Sequence, residues 1–118
     1  MINSTALLAE FLGTFLFVLS VFASGGNAYV IGGTLAVVIL LIGKISGAHV
    51  NPAISTAMFV KGSLSAPELG AYVASQVAGA VASLASVVWS LWQKVDAARQ
   101  THATAVASAN TGSPVQPA

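Results

Sequence analysis

The chain has 118 residues, of which 56% are hydrophobic and 6% are charged, and its formal net charge is +1. Soluble domains carry about a quarter charged residues, so this single-domain chain lacks the polar surface of a soluble fold and is predicted to be an integral, multi-pass membrane protein. Four basic residues exclude a nucleic-acid-binding surface, and the absence of cysteine excludes disulfides, thiolate metal sites and cysteine nucleophiles.

The first apolar run extends from about Thr5 to Ser24, which is long enough to cross a membrane as a helix of about 20 residues. The triplet Ala23-Ser24-Gly25 loosely resembles a cleavage site, so a removable signal peptide is the alternative. A signal peptide needs a basic start and an uninterrupted apolar core. Here no Lys or Arg precedes Lys44, and Glu10 lies inside the run, so we predict a retained transmembrane helix.

The second apolar run, about Tyr29 to Ile45, follows the turn signal Ser24-Gly25-Gly26-Asn27. Its length of about 17 residues is near the lower limit for crossing the hydrocarbon core. Because backbone polar groups find no water there, each run must be helical, and runs this few and this long exclude a closed β-barrel.

Residues 45–60 are too polar at their start to span a membrane and too apolar at their end for a loop in water. Asn51 and Pro52 indicate the N-cap and first residue of a helix, because the N–H that proline lacks would be unpaired there anyway. A helix from Pro52 to about Val60 is roughly 13 Å long and crosses half of a membrane. Since irregular backbone at membrane depth is tolerated only where it lines a cavity, we predict a re-entrant half-helix.

This half-helix is predicted to carry the function. Its N-terminus has a partial positive charge and unpaired N–H groups, which in a pore would orient water and repel protons and cations. Asn51 adds an amide donor, and the non-helical backbone from Gly47 to Val50 adds carbonyl acceptors. Donors at the centre and acceptors along one wall suit a small, neutral, hydrogen-bonding solute.

The third apolar run extends from about Leu69 to Trp92 and is preceded by a capping box, Ser65-Ala66-Pro67-Glu68. Tyr72 near one end, with Trp89 and Trp92 near the other, predict aromatic belts at the two interfaces. We predict a membrane domain over residues 1–93, and a flexible tail rich in Ala, Ser, Thr and Pro over residues 94–118. His102 in that tail is expected to be solvated and to have no role.

Three motifs resemble those of the aquaporin and glycerol-facilitator family. Residues 46–53, Ser-Gly-Ala-His-Val-Asn-Pro-Ala, are similar to its first signature motif. The family's first-helix motif is similar to residues 9–15, Ala-Glu-Phe-Leu-Gly-Thr-Phe. Its third-helix motif is similar to residues 74–79, Ala-Ser-Gln-Val-Ala-Gly. The motifs occur in family order, and the resemblance covers about Ala9 to Val88. It implies half of an inverted-repeat fold: an all-α membrane protein with three transmembrane helices and one re-entrant half-helix.

The resemblance also implies a role for each matching position. The pore-facing end of the half-helix would consist of Asn51, Pro52 and Ala53, and the carbonyl wall of Gly47, Ala48, His49 and Val50. Glu10 would be a buried scaffold residue that hydrogen-bonds the re-entrant loop, as an ionisable group inside a span requires a partner. His49 would brace that loop. Gln76 and Gly79 would pack helices together, and Ile31 would contribute to the selectivity filter.

The sequence departs from the family pattern because the family has two such repeats in inverted orientation and this chain has one. The family's second repeat also places an arginine after its signature motif, where this chain has Ile54. A pore made of two identical chains would lack that arginine and would have a wider, more apolar filter.

Several assemblies remain open. Lys44 and Lys61 fall on one side of the predicted membrane domain and Lys94 and Arg99 on the other, which gives no clear orientation bias and permits an inverted homodimer. A second possibility is a heteromeric channel in which the missing half is a different chain. A third reading is a non-conducting scaffold subunit of a larger membrane assembly.

An enzyme is not expected. The sequence has no catalytic Ser/His/Asp set, phosphate loop or metal-ligand spacing, and no cofactor is predicted.

Overall fold

The protein is described by a computed structural model in which residues 2–112 and 117–118 are placed. Four α-helices make up this part of the chain: α1 (Ser4–Ala23), α2 (Ala28–Ser46), α3 (Pro52–Val60) and α4 (Ala66–Thr111). Three of them, α1, α2 and α4, are long and apolar enough to cross a membrane. The predicted fold class, with three spans and a nine-residue half-helix beginning at Pro52, is confirmed.

Helix ends coincide with capping residues. The Oδ1 atoms of Asn3 and Asn27 accept hydrogen bonds from backbone N–H groups in the first turns of α1 and α2, at 3.0–3.3 Å. The predicted capping box is present at α4, where Ser65 N donates to Glu68 Oε2 at 2.7 Å and Glu68 N donates to Ser65 Oγ at 3.3 Å. The α1–α2 turn uses Gly25 and Gly26 at φ of 63° and 86°.

The helix that contains the third apolar run is longer than that run, because α4 continues past Trp92 to Thr111. Residues 93–111 contain no glycine or proline and many alanines, which favour a helix, and Gly112 follows the helix at a φ of 70°. The division of the chain after residue 93 and the flexibility of residues 94–118 stay predictions, and residues 113–116 lie outside the described part.

The chain divides into two compact units, Met1–Ala85 and Ser86–Ala118. The second unit contains the C-terminal part of α4, in which the Trp89 and Trp92 rings stack at a centroid distance of 5.2 Å. Both rings are more than half exposed. Their place in an aromatic belt stays a prediction.

The first unit has a polar interior and an apolar exterior. Its buried polar side chains outnumber its buried apolar ones, and large exposed residues such as Leu8, Leu40 and Leu41 cover its surface. This is the reverse of a soluble protein, and it suits a lipid environment.

Two glycines allow close packing in this unit. A Cβ atom at Gly79 of α4 would overlap the Phe11 carbonyl oxygen of α1, so the two helix backbones touch there. A Cβ at Gly13 would lie 2.7 Å from side-chain carbons of Ile42 and Val50. Gly79 therefore lies where α1 and α4 approach each other, and its role as a helix-packing residue stays a prediction.

Candidate functional site

The carboxylate of Glu10 holds together the segment that precedes α3. Glu10 has no exposed surface. Its Oε1 accepts from Ser46 Oγ at 2.6 Å and His49 N at 2.9 Å, and its Oε2 accepts from Val50 N at 2.7 Å and Gln76 Nε2 at 2.8 Å. Four donors satisfy the two oxygens of a carboxyl group that would be costly to bury in a membrane interior without them.

The backbone of residues 47–50 is strained. Gly47 has a φ of 89°, and Ala48 and Val50 have φ of 51° and 44°, in the left-handed region that is unusual for residues other than glycine. Each such non-glycine residue costs on the order of 1–3 kcal/mol and persists only where its surroundings fix it. Here Ser46 Oγ accepts from Ala48 N at 3.1 Å, and Glu10 accepts from the next two N–H groups.

A second set of contacts surrounds His49. Its Nδ1 lies 3.0 Å from Ser55 Oγ, which also accepts from Gln76 Nε2 at 2.8 Å. Its ring lies 5.1 Å, centroid to centroid, from the ring of Tyr72. The Tyr72 hydroxyl donates to the Ser46 carbonyl at 2.7 Å, at the end of α2. The prediction that Tyr72 belongs to an interfacial belt is therefore wrong. Its side chain is buried inside the first unit, and its hydroxyl is hydrogen-bonded there.

Asn51 caps α3 with Oδ1, which accepts from Ala53 N at 2.8 Å, and Pro52 is the first helical residue. Asn51, Pro52 and Ala53 are exposed. A cavity of about 220 Å³ lies against this end of the half-helix, between α1 and α4, and its walls include Val50, Asn51 and Gln76.

The four backbone carbonyls of the predicted wall, those of Gly47, Ala48, His49 and Val50, accept no hydrogen bond within the described part of the chain. Gly47 is exposed, whereas the other three residues are buried. The backbone N–H of Ala48 donates to Ser46 Oγ, and those of His49 and Val50 donate to the Glu10 carboxyl oxygens. Their role as a pore wall stays a prediction.

The two filter residues lie on different helices, Ile31 on α2 and Ile54 in the first turn of α3. Ile31 is partly exposed on α2, and Ile54 on α3 is 48% exposed. Neither lines the cavity beside Asn51. Their role in a filter stays a prediction.

Three residues of this site, Ser46, Ser55 and Tyr72, were not predicted from the sequence to take part in it. Ser46 is the first residue of the motif at residues 46–53 and Ser55 follows the motif by two residues, so their place next to the predicted re-entrant loop is the available signal. Among residues 2–112 and 117–118, no three His, Asp or Glu side chains gather in a way that could hold a metal ion.

Comparison with known proteins gives concordant results. The sequence model of the major intrinsic proteins matches residues 1–115. Aquaglyceroporin AqpS of Rhizobium meliloti (strain 1021) is 38% identical over 92 residues, which cover 65% of this chain and 40% of that protein. Aquaporin NIP1-1 of Arabidopsis thaliana is 34% identical over 123 residues, 93% of this chain and 42% of that protein.

A third relative, Aquaporin-2 of Equus caballus, is 38% identical over 93 residues, 70% of this chain and 85% of that sequence. The alignments with AqpS and NIP1-1 nevertheless cover only 40% and 42% of those proteins. The chain therefore spans less than half the length of these two relatives.

Proposed function

The chain belongs to the major intrinsic protein family, and on that premise we propose that it is one half of a membrane channel for water or small neutral solutes such as glycerol. The relatives carry the names aquaporin, aquaglyceroporin and glycerol uptake facilitator, which favour this solute class. The chain is an integral membrane protein with three helices long enough to span the bilayer. No catalytic role is proposed.

The observation that carries this proposal is the nine-residue helix α3, which begins at Pro52, directly after its cap Asn51, beside the 220 Å³ cavity. The end of a helix presents unpaired N–H groups and a partial positive charge. Beside a water-filled path these features orient a neutral hydrogen-bonding solute and oppose the entry of cations. Oδ1 of Asn51 is bonded to Ala53 N, which leaves the amide NH₂ as the group directed at the solute.

A second half is part of the proposal because α3 is incompletely covered. Of its residues, Ser55 alone is buried, and Asn51 at its start is exposed. A half-helix end facing hydrocarbon leaves polar backbone groups unsatisfied, at a cost of several kcal/mol for each group. A second half placed against this surface would remove that cost and complete a path across the membrane.

The second half is either another copy of this chain, inverted in the membrane, or a different chain. In the homomeric pore, Ile54 takes the position after the signature motif in both halves. The filter would then have no arginine, would be wide and apolar, and would discriminate weakly between water and glycerol. A non-conducting scaffold subunit is the second candidate, and the small-residue contact at Gly79 would serve it equally well.

The test is stopped-flow shrinkage of vesicles that contain the purified chain. We expect water and glycerol flux above that of empty vesicles, and a fall to the empty-vesicle level in Asn51→Asp. The carboxylate keeps the helix cap but adds a charge that costs about 2.5–3.5 kcal/mol at mid-bilayer. Asn110→Asp makes the same chemical change at an exposed position of α4 in the second unit and should leave the flux unchanged.

Absence of flux from folded, inserted chain would contradict the homomeric channel. Flux that appears only when a second half-channel chain is added would identify the heteromeric assembly. Flux that Asn51→Asp leaves intact would contradict the role of the α3 end.

A further inference from the structure

Four buried side chains form a linear hydrogen-bond network, in the order Glu10, Gln76, Ser55 and His49. Gln76 Nε2 lies 2.8 Å from both Glu10 Oε2 and Ser55 Oγ. Ser55 Oγ in turn lies 3.0 Å from His49 Nδ1. The first three residues have no exposed surface and His49 is 7% exposed. Because solvent has little access to the network, each of its polar hydrogens is expected to point at a neighbouring member.

The directions of the hydrogen bonds in this network are coupled. A serine hydroxyl has one hydrogen, and among the described residues the Ser55 oxygen is bonded to one atom of Gln76 and one of His49. If the Gln76 NH₂ group donates to Ser55, the serine hydrogen points at His49 Nδ1, which accepts. If the Gln76 amide is turned so that its oxygen accepts from Ser55, the serine oxygen accepts from a hydrogen on Nδ1 instead. The position of the imidazole hydrogen therefore follows from the orientation of the Gln76 amide.

The carboxyl group of Glu10 determines that orientation. Three of the four groups bonded to its oxygens donate in either orientation of the Gln76 amide, namely the Ser46 hydroxyl and the backbone N–H groups of His49 and Val50. A deprotonated carboxyl group only accepts hydrogen bonds, so the fourth bond, at Oε2, is donated by the Gln76 NH₂ group. The opposite orientation would need a carboxyl hydrogen on Oε2, the oxygen that already accepts from Val50 N.

We propose that Ser55 is a positioning residue for His49: its hydroxyl donates to Nδ1 and selects the imidazole tautomer that carries its hydrogen on Nε2. In a neutral imidazole one nitrogen accepts and the other donates. Nε2 makes no hydrogen bond to a described residue, and an added Cβ at Gly47 would lie 2.9 Å from it. The ring therefore presents an N–H donor next to Gly47, the exposed residue at the start of the loop.

The two bonds of Ser55 also hold α3 in place. Ser55 is the buried residue of α3, and its bonds join the half-helix to α4 through Gln76 and to the preceding loop through His49. The inference concerns the positions of hydrogens around that loop, so it holds whether or not the protein conducts.

Nitrogen NMR of the full chain in detergent, with isotope-labelled histidine rings, tests the proposal at neutral pH. The resonance frequencies of the two ring nitrogens show which of them is protonated. We expect a hydrogen on Nε2 of His49 and none on Nδ1, and a hydrogen on Nδ1 would overturn the proposal. The internal control is His102, which is exposed on α4 in the second unit, and His102→Gln assigns the remaining signals to His49.

Ser55→Ala separates the effect of the serine hydroxyl from the imidazole's own preference for one tautomer. Without the hydroxyl, Nδ1 of His49 loses its donor, so its resonance should move to higher frequency while the His102 signals stay unchanged. Ser55→Thr retains a hydroxyl and should restore the wild-type position. An Nδ1 resonance that Ser55→Ala leaves unchanged would overturn the role of Ser55. The wild-type spectrum decides the tautomer even where a variant does not fold.

Discussion

Glu10 shows how one buried carboxyl group determines the shape of a loop. Its two oxygens accept from backbone N–H groups of consecutive residues, His49 and Val50, and from side chains at the end of α2 and within α4. Because these N–H groups point inward to the carboxylate, Val50 is held at a positive φ that a β-branched residue does not adopt on its own. The carboxylate therefore determines the direction of the backbone just before Asn51.

Tyr72 supports the same loop from α4, and its hydroxyl can be tested separately from its ring. We predict that Tyr72→Phe lowers the free energy of unfolding by about 1–3 kcal/mol, because the buried Ser46 carbonyl loses its donor while the ring packing on His49 is kept. Urea unfolding in detergent micelles measures this change. Tyr29→Phe is the control, since Tyr29 is 92% exposed and its substitution should have no effect. Equal effects of the two variants would contradict the prediction.

The residues that sequence could and could not predict differ in a physical respect. Glu10 was predictable because an acid inside an apolar run needs a partner, and Asn51 was predictable because the Asn-Pro pair indicates a helix start. Tyr72 was not, because an aromatic near the end of a span suits both an interface and a buried hydroxyl contact. Only the fold decides which side of α4 the ring occupies.

At the scale of the helices, α1 and α4 pack closely because Gly79 of α4 has no side chain. The buried residues of α4 in the first unit fall at helical spacing on one face: Tyr72, Gln76, Gly79 and Ser83. At the third of these, the α1 backbone at Phe11 approaches so closely that only glycine fits. The approach brings Gln76 within hydrogen-bonding distance of Glu10.

We predict that Gly79→Ala destabilises the protein by about 1–3 kcal/mol, because the added methyl group forces α1 and α4 apart. Gly70→Ala is a control on the same helix, where an added Cβ meets nothing within 4 Å. Its higher helix propensity should stabilise the protein by up to about 1 kcal/mol. Thermal unfolding of both variants measures the difference, and two changes of the same sign would refute it.

The helix boundaries show where element-level prediction succeeds. α2, α3 and the start of α4 lie within three residues of their predicted positions, since asparagine caps, a proline and a capping box define them. α4 continues beyond the third apolar run because hydropathy falls after Trp92 while helix propensity does not. Apolar content predicts where a membrane-spanning segment ends, whereas a high alanine content allows the helix to continue beyond it.

At the scale of the whole molecule, the distribution of basic residues bears on assembly. Lys44 and Lys61 flank one end of the predicted membrane domain, and Lys94 and Arg99 follow the other. Equal numbers give no preferred orientation by the positive-inside rule. An inverted pair of identical chains, as proposed above, requires that both orientations occur.

A cysteine-free chain makes orientation directly measurable. We predict that Ser63→Cys, in the exposed turn between α3 and α4, is labelled to about half by a membrane-impermeant maleimide added to sealed cells. The reason is that equal numbers of basic residues at the two ends of the predicted membrane domain give no preferred orientation. Permeabilised cells should give complete labelling as the reference. Labelling near zero or near complete in sealed cells would rule out dual topology.

The carboxyl group of Glu10 is hydrogen-bonded to residues that lie far from it in the sequence, which has a consequence for biosynthesis. Glu10 meets the loop residues 36 to 40 positions later, and Gln76 only 66 positions later. A nascent chain that ends before α4 thus has α3 but neither Gln76 nor Tyr72 to support the strained turn ahead of it. The hydrogen bonds that support the loop ahead of α3 are therefore complete only after α4 has been translated.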